Sequence, residues 1–191
     1  MNKNSTLQDN LSSFFILKGF TAILIGIYIY GGAYIIKAVL DGFLKEGNPI
    51  ELMPIENIEL LSIGIAFLVV LFSLITHYIS GKNSAKKTQQ ELWNTATKKN
   101  AKTLVIGMLL IFSILIVLKS FGFINYITPT LLILYGILLF LLKNKGRKDL
   151  LVLIALCILL GSLCFLIPSY WYSALIIISI VHVTYGVMVK K

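Results

Sequence analysis

Apolar runs about as long as a bilayer is thick recur along this chain, at about 16–37, 59–80, 103–121, 126–143, 149–168 and 170–189. A hydrocarbon core of about 30 Å takes roughly 20 helical residues to cross, so each run predicts one transmembrane α-helix. The second is the clearest, with no formal charge from Leu60 to Gly81 and only His77 as an ionisable group. The last two are harder to part, because Leu150 to Val189 carries no charge and is about twice the roughly 20 residues of one crossing. Pro168 and Ser169 divide it: proline disfavours helix in the residue before it, and Tyr170, Trp171 and Tyr172 follow as an interfacial aromatic cluster. Lys119, Asn125 and Pro129 punctuate the third and fourth runs in a similar way. The expected fold is all-α, a polytopic transmembrane bundle of six helices arranged as three antiparallel hairpins, forming one integral membrane domain over 1–191.

The polar positions test that count. Fourteen of the seventeen Lys and Arg residues lie in the leader through Lys18, in 80–102, in 143–149 and in the tail Lys190-Lys191. With six spans these segments all fall on one side. The opposite side receives Lys37, Lys45 and Lys119 with the acids Asp41, Glu46, Glu51, Glu56 and Glu59. Basic residues mark the cytoplasmic side of membrane proteins, so both termini are expected there. Five or seven spans would break the alternation. The polar leader from Met1 to Ser13 has no clear cleavage site after it, and the first run reads as a retained span. Around Val39-Leu40 and Phe43-Leu44 a short amphipathic helix in the outer interface is expected. The basic connection 82–102 carries Lys82, Lys86, Lys87, Lys98, Lys99 and Lys102. With Lys143, Lys145, Arg147 and Lys148 these are the candidate contacts to anionic lipid headgroups, worth about 1 kcal/mol each near the surface; for 82–102 the alternative is a solvated extension of the adjoining spans.

Composition agrees with a lipid environment. The chain is 58% hydrophobic and 13% charged, with a mean hydropathy of +0.90, against roughly 45–50% and about 25% in soluble domains. The net charge of +9 is accounted for by sidedness, and with no basic soluble domain to carry it, nucleic acid is not an expected partner. Cys157 and Cys164 stand seven residues apart in one apolar run, roughly 10 Å along a helix. That separation is too long for a disulfide, so they are read as small packing residues.

Ionisable residues deep in a span are the usual marks of transport or catalysis, and few occur here. Lys18, Lys37, Lys119 and Glu59 sit near span ends, within reach of the surface. His77 is placed near the cytoplasmic end of its span, at the interface. His182 lies deeper, eight residues before Lys190. Tyr172, Ser179, His182 and Gly186 share one helical face and form a candidate polar intramembrane stripe. His182 there is either a neutral packing residue bonded to a neighbouring helix or a proton-sensitive switch. Gly19, Ala22 and Gly26 on the first span, Gly136 on the fourth and Gly161 on the fifth are candidate helix-packing positions, since small residues let backbones approach. The same faces could serve a homo-oligomer. No H-E-x-x-H, G-x-S-x-G or C-x-x-C signature occurs. Two histidines, no deep carboxylate and separated cysteines do not make a four-ligand metal site. No catalytic residue, metal or cofactor is expected.

The second and third hairpins look alike: Ile133-Leu134-Tyr135-Gly136-Ile137 and Val183-Thr184-Tyr185-Gly186-Val187 each precede a basic end. The residues Pro129, Tyr135-Gly136, Gly161, Pro168, Trp171 and His182 to Gly186, followed by Lys190-Lys191, resemble the C-terminal part of small uncharacterised multi-span bacterial membrane proteins. The likeness covers about a third of the chain. In length, span count and glycine placement the chain is also similar to the six-span acid-stress membrane proteins. The first resemblance implies no established activity and a bacterial plasma (inner) membrane; the second implies a stress-related role. Two functions are therefore expected to compete. One is a non-enzymatic membrane component acting through packing with lipid, itself or a membrane protein partner. The other is a channel or carrier for a small neutral or weakly polar solute, with the His182 stripe lining its path.

Overall fold

A helix in hydrocarbon is held first by its own backbone hydrogen bonds, because nothing in the solvent can replace them. The computed structural model describes residues 17, 19–45, 50, 53–89, 91–143 and 149–189, and among them it is helical with no strand. Six α-helices follow in order: α1 (Gly19–Phe43), α2 (Ile55–Thr88), α3 (Thr95–Ser120), α4 (Ile127–Leu142), α5 (Leu150–Leu166) and α6 (Trp171–Met188). Short 3₁₀ turns at Ile124–Tyr126 and Pro168–Tyr170 lead into α4 and α6. Five of the helical segments are long and apolar enough to cross a membrane. The exception is α5, whose 17 residues span roughly 26 Å.

Several boundaries differ from the sequence expectation, each for a local reason. α1 does not stop near Lys37. The Lys37 ammonium pairs with Asp41 one turn later at 2.6 Å, a spacing that supports continued helix, and the segment expected as a separate interfacial helix is the end of α1 through Phe43. α2 has 34 residues, roughly 51 Å, and its last turns carry Lys82, Lys86 and Lys87 out of the apolar stretch. Gln89 ends it in the left-handed region, φ 52°, with its N–H directed to the Ala85 and Lys86 carbonyls. α3 begins at Thr95 rather than near 103 because Asn94 caps it, its side chain accepting from the Thr97 N–H at 2.8 Å. The basic connection is thus mostly two helix ends joined by a short linker. Lys145, Arg147 and Lys148 lie outside the described residues.

The break between α3 and α4 is made by Gly122. It takes φ +76°, and the N–H groups of Gly122 and Phe123 bond the Lys119 and Leu118 carbonyls at 2.9 Å each, the paired C-terminal closure that needs a residue without Cβ. Pro129 instead sits in the first turn of α4, where its missing N–H has no intrahelical partner to lose. Pro168 does separate α5 from α6, with Ile167 held extended at φ −130° before it.

The helices neighbour one another in the order α3–α4–α5–α6–α1–α2. α2 and α3 also reach each other, through Phe67 against Phe112 edge to face, 5.8 Å between centroids, and through an ion pair between Lys119 and Glu59. One buried cluster joins α1, α4, α5 and α6 around Ile25, Leu132, Leu153, Cys157 and Ile178; a second joins α3 and α4 around Leu104, Ile111 and Leu138. Large apolar side chains face outward on every helix, among them Phe20, Leu60, Leu109, Phe140, Leu159 and Ile180. Such a surface suits lipid and not water.

Candidate functional site

Three residues of the α6 stripe meet neighbouring helices. The Ser179 hydroxyl donates to the Gly26 carbonyl of α1 at 2.9 Å. His182 is fully buried, with Nδ1 2.9 Å from the Ile178 carbonyl and Nε2 2.8 Å from the Tyr135 hydroxyl of α4. A carbonyl can only accept, so Nδ1 carries the proton, and in a neutral ring Nε2 accepts from Tyr135. The two rings also stack, 5.7 Å between centroids. Gly186 admits α1: a Cβ there would stand 2.5 Å from the Gly19 carbonyl oxygen. Tyr172 does not join this group. It is half-buried at the other end of α6, beside Trp171 and beneath the Lys37 ammonium, 5.5 Å from its ring centroid.

The small residues lie where the backbones come closest. A Cβ at Gly26 would stand 2.7 Å from the Ser179 carbonyl, one at Gly161 would stand 3.0 Å from the Pro129 carbonyl, and one at Gly136 would meet the Cys157 Cβ at 3.2 Å. Ala22 is completely enclosed. Helices α1 with α6, and α4 with α5, are therefore in near-backbone contact, where van der Waals packing is strongest.

The other half of the bundle is open inside. A cavity of about 420 Å³ lies between α1, α2, α3, α4 and α6, with Leu150 at the start of α5 also on its wall. Ile29, Ala66, Val70, Met108, Leu131 and Leu175 are among the aliphatic side chains on its walls. At one end Glu59 and Lys119 line it, paired at 3.3 Å and each about one quarter exposed. The pair suits the helix ends it occupies, with the acid near the start of α2 and the cation in the last turn of α3. At the other end stand Leu142, Leu150 and His77. From Glu59 to His77 along α2 is roughly 27 Å, close to the thickness of a hydrocarbon core.

The polar groups on the walls are mostly engaged with their own helices. Ser62 and Ser73 donate to the Ile58 and Val69 carbonyls at 2.9 and 2.7 Å, and Tyr135 holds His182. His77 differs. It is buried against the neighbouring helices, and among the described residues its Nδ1 is the buried side-chain nitrogen or oxygen without a hydrogen-bond partner.

Lys82, Lys86 and Lys87 at the end of α2, and Lys98, Lys99 and Lys102 at the start of α3, are all exposed. Lys143 is half-buried, its ammonium 6.0 Å from the centre of the Phe140 ring. The three α3 lysines stand at the helix end that disfavours cations, so helix stability is not what places them there. Among the described residues no three His, Cys, Asp or Glu side chains gather as a metal site would require.

Sequence reasoning singled out Ser179, His182, Gly186 and the packing glycines without their partners, and it grouped Tyr172 with them although Tyr172 lies apart. The Tyr135–His182 bond had one faint signal, the matching Tyr-Gly pairs of α4 and α6. Glu59 and Lys119 were legible as opposite charges at the ends of consecutive spans. Nothing in the periodicity announced the cavity. Comparison with protein-family models, with curated proteins and with solved structures finds no match to this chain.

Proposed function

We propose that this chain is a non-enzymatic, six-span protein of a bacterial plasma membrane that works by holding an apolar molecule of the bilayer in its interior. The spans are read as three antiparallel hairpins, with both termini cytoplasmic and the exposed lysines of α2 and α3 against anionic headgroups. The observation that carries the reading is the aliphatic cavity of about 420 Å³, a volume inside the roughly 300–1,000 Å³ of small-molecule sites.

The walls favour an occupant, since apolar side chains that face an empty space forfeit their packing contacts. Chemistry favours a hydrocarbon occupant. Apolar cavities stay dry, because a water needs two to four polar partners, and the Ser62, Ser73 and Tyr135 hydroxyls on the walls are already engaged. For the same reason this reading is preferred to passage of a small polar solute along the His182 stripe, since Ser179 and His182 are bonded to Gly26, Ile178 and Tyr135. A role under envelope stress rests on the family resemblance alone.

The test is lipid carried through purification. Native mass spectrometry of the full chain released from lipid discs is expected to show bound lipid. Filling the cavity with Ala66→Phe and Met108→Phe is expected to remove it while leaving the melting temperature equal or higher. Equal lipid retention by the filled variant would refute the reading.

A further inference from the structure

We infer that the cavity takes a neutral single-chain lipid bearing one hydrogen-bonding oxygen, an alcohol above all, with that oxygen on His77 and its chain running toward Glu59 and Lys119. The inference rests on the cavity reading proposed above and adds the chemical class and orientation of the ligand.

Three observations converge on it. His77 Nδ1 is buried without a partner among the described residues, and a buried polar atom left unpaired is destabilising. His77 is among the residues lining the cavity. The neighbouring hydroxyls are engaged elsewhere, Thr76 with Tyr28 at 3.2 Å and Ser80 with Thr21 at 2.8 Å. A single water would find too few polar partners at this wall to be held.

The charge of the ligand follows from where the charges are. Among the described lining residues the formal charges are Glu59 and Lys119, roughly 27 Å from His77 along α2. The rest of the lining is mostly apolar and includes Ile25, Leu74, Leu104, Leu139 and Leu142. A carboxylate or phosphate placed at His77 would be desolvated with no cation on the cavity wall beside it, because Lys82, Lys102 and Lys143 lie outside the lining. A hydroxyl carries no such penalty. It can also donate or accept, so it satisfies Nδ1 in either tautomer of the imidazole.

Matched ligands separate this inference from the reading beneath it. In full-length protein carrying Trp93→Phe, Trp171 remains as a reporter on the cavity wall. In phosphatidylcholine discs, 1-bromohexadecane bound in the cavity quenches that fluorescence, and hexadecane or 1-hexadecanol competes with it. Hexadecane is expected to relieve quenching equally in the wild type, His77→Leu and His77→Gln. The potency of 1-hexadecanol relative to hexadecane is expected to fall roughly threefold to tenfold in His77→Leu, the worth of one hydrogen bond, and to be retained in His77→Gln. Partitioning into the bilayer cancels between variants. If His77→Leu does not fold, His77→Met carries the same expectation. An alcohol-to-alkane ratio unchanged by losing the imidazole overturns the inference and leaves the cavity reading standing. Failure of both competitors in folded protein overturns both.

Discussion

The two sides of this bundle are built on different principles. In α6, 33% of the apolar stretch is buried inside the protein; in α2 the figure is 11%. The difference is one of side-chain size at the contact. Glycines bring α6 onto α1 and α5 onto α4 until backbone atoms touch, whereas α2 and α3 reach each other through the Phe67 and Phe112 rings and the tips of Glu59 and Lys119. Close approach leaves no interior, and contact through long side chains leaves one. The two histidines show the same division, His182 bonded through both ring nitrogens on the packed side and His77 with an unpartnered nitrogen on the open side.

That contrast can be broken in graded ways. The largest effect is expected from Gly186→Leu, whose added atoms would collide with the Gly19 carbonyl and Ile23. Overpacking costs about 1–3 kcal/mol or more, here at the upper end because backbone cannot step aside, and the loss is read as a lower melting temperature or failure to fold in detergent. Next comes His182→Leu, which strands the Tyr135 hydroxyl in a dry interior at a cost of about 1–3 kcal/mol. His77→Leu strands no partner and is expected to leave the melting temperature unchanged or raise it. The same thermal assay on both variants makes the comparison direct, and equal losses would show the two sides to be alike.

A smaller effect is expected at the ion pair. Glu59→Gln and Lys119→Gln, with their double variant, should give a coupling of about 0–1 kcal/mol, since both side chains retain access to solvent. The smallest change is Gly64→Ala. No atom lies within 4 Å of a Cβ there, so it should be neutral or stabilise by up to about 1 kcal/mol through helix propensity. A clear destabilisation by Gly64→Ala would mean that α2 is packed as closely as α6.

The helices were legible because their cause is local. Six apolar runs, the proline at 168 and the small residues of α1, α4 and α5 could all be read from the chain. Their ends were read less well. The continuation of α1 past Lys37 is accompanied by one i,i+4 ion pair, and the start of α3 by the Asn94 cap. Of the candidate site, His182 and Ser179 stood out as polar residues on an apolar face, while Tyr135 did not, because tyrosine is unremarkable in a membrane span. For His77 the sequence showed a position near one end of its span but not its burial, because that depends on the helices beside α2.

Taken alone, the order of residues determined that this chain makes apolar helices, roughly where they begin and end, and which faces could come close. Hydrocarbon enforces that much locally, since each segment must satisfy its own backbone. Only the tertiary structure decided which faces did come close. The Ser179–Gly26 bond joins residues 153 positions apart and the Tyr135–His182 bond residues 47 apart. The cavity belongs to no single segment, because it is the space remaining between the helices once their small and large side chains have set the distances.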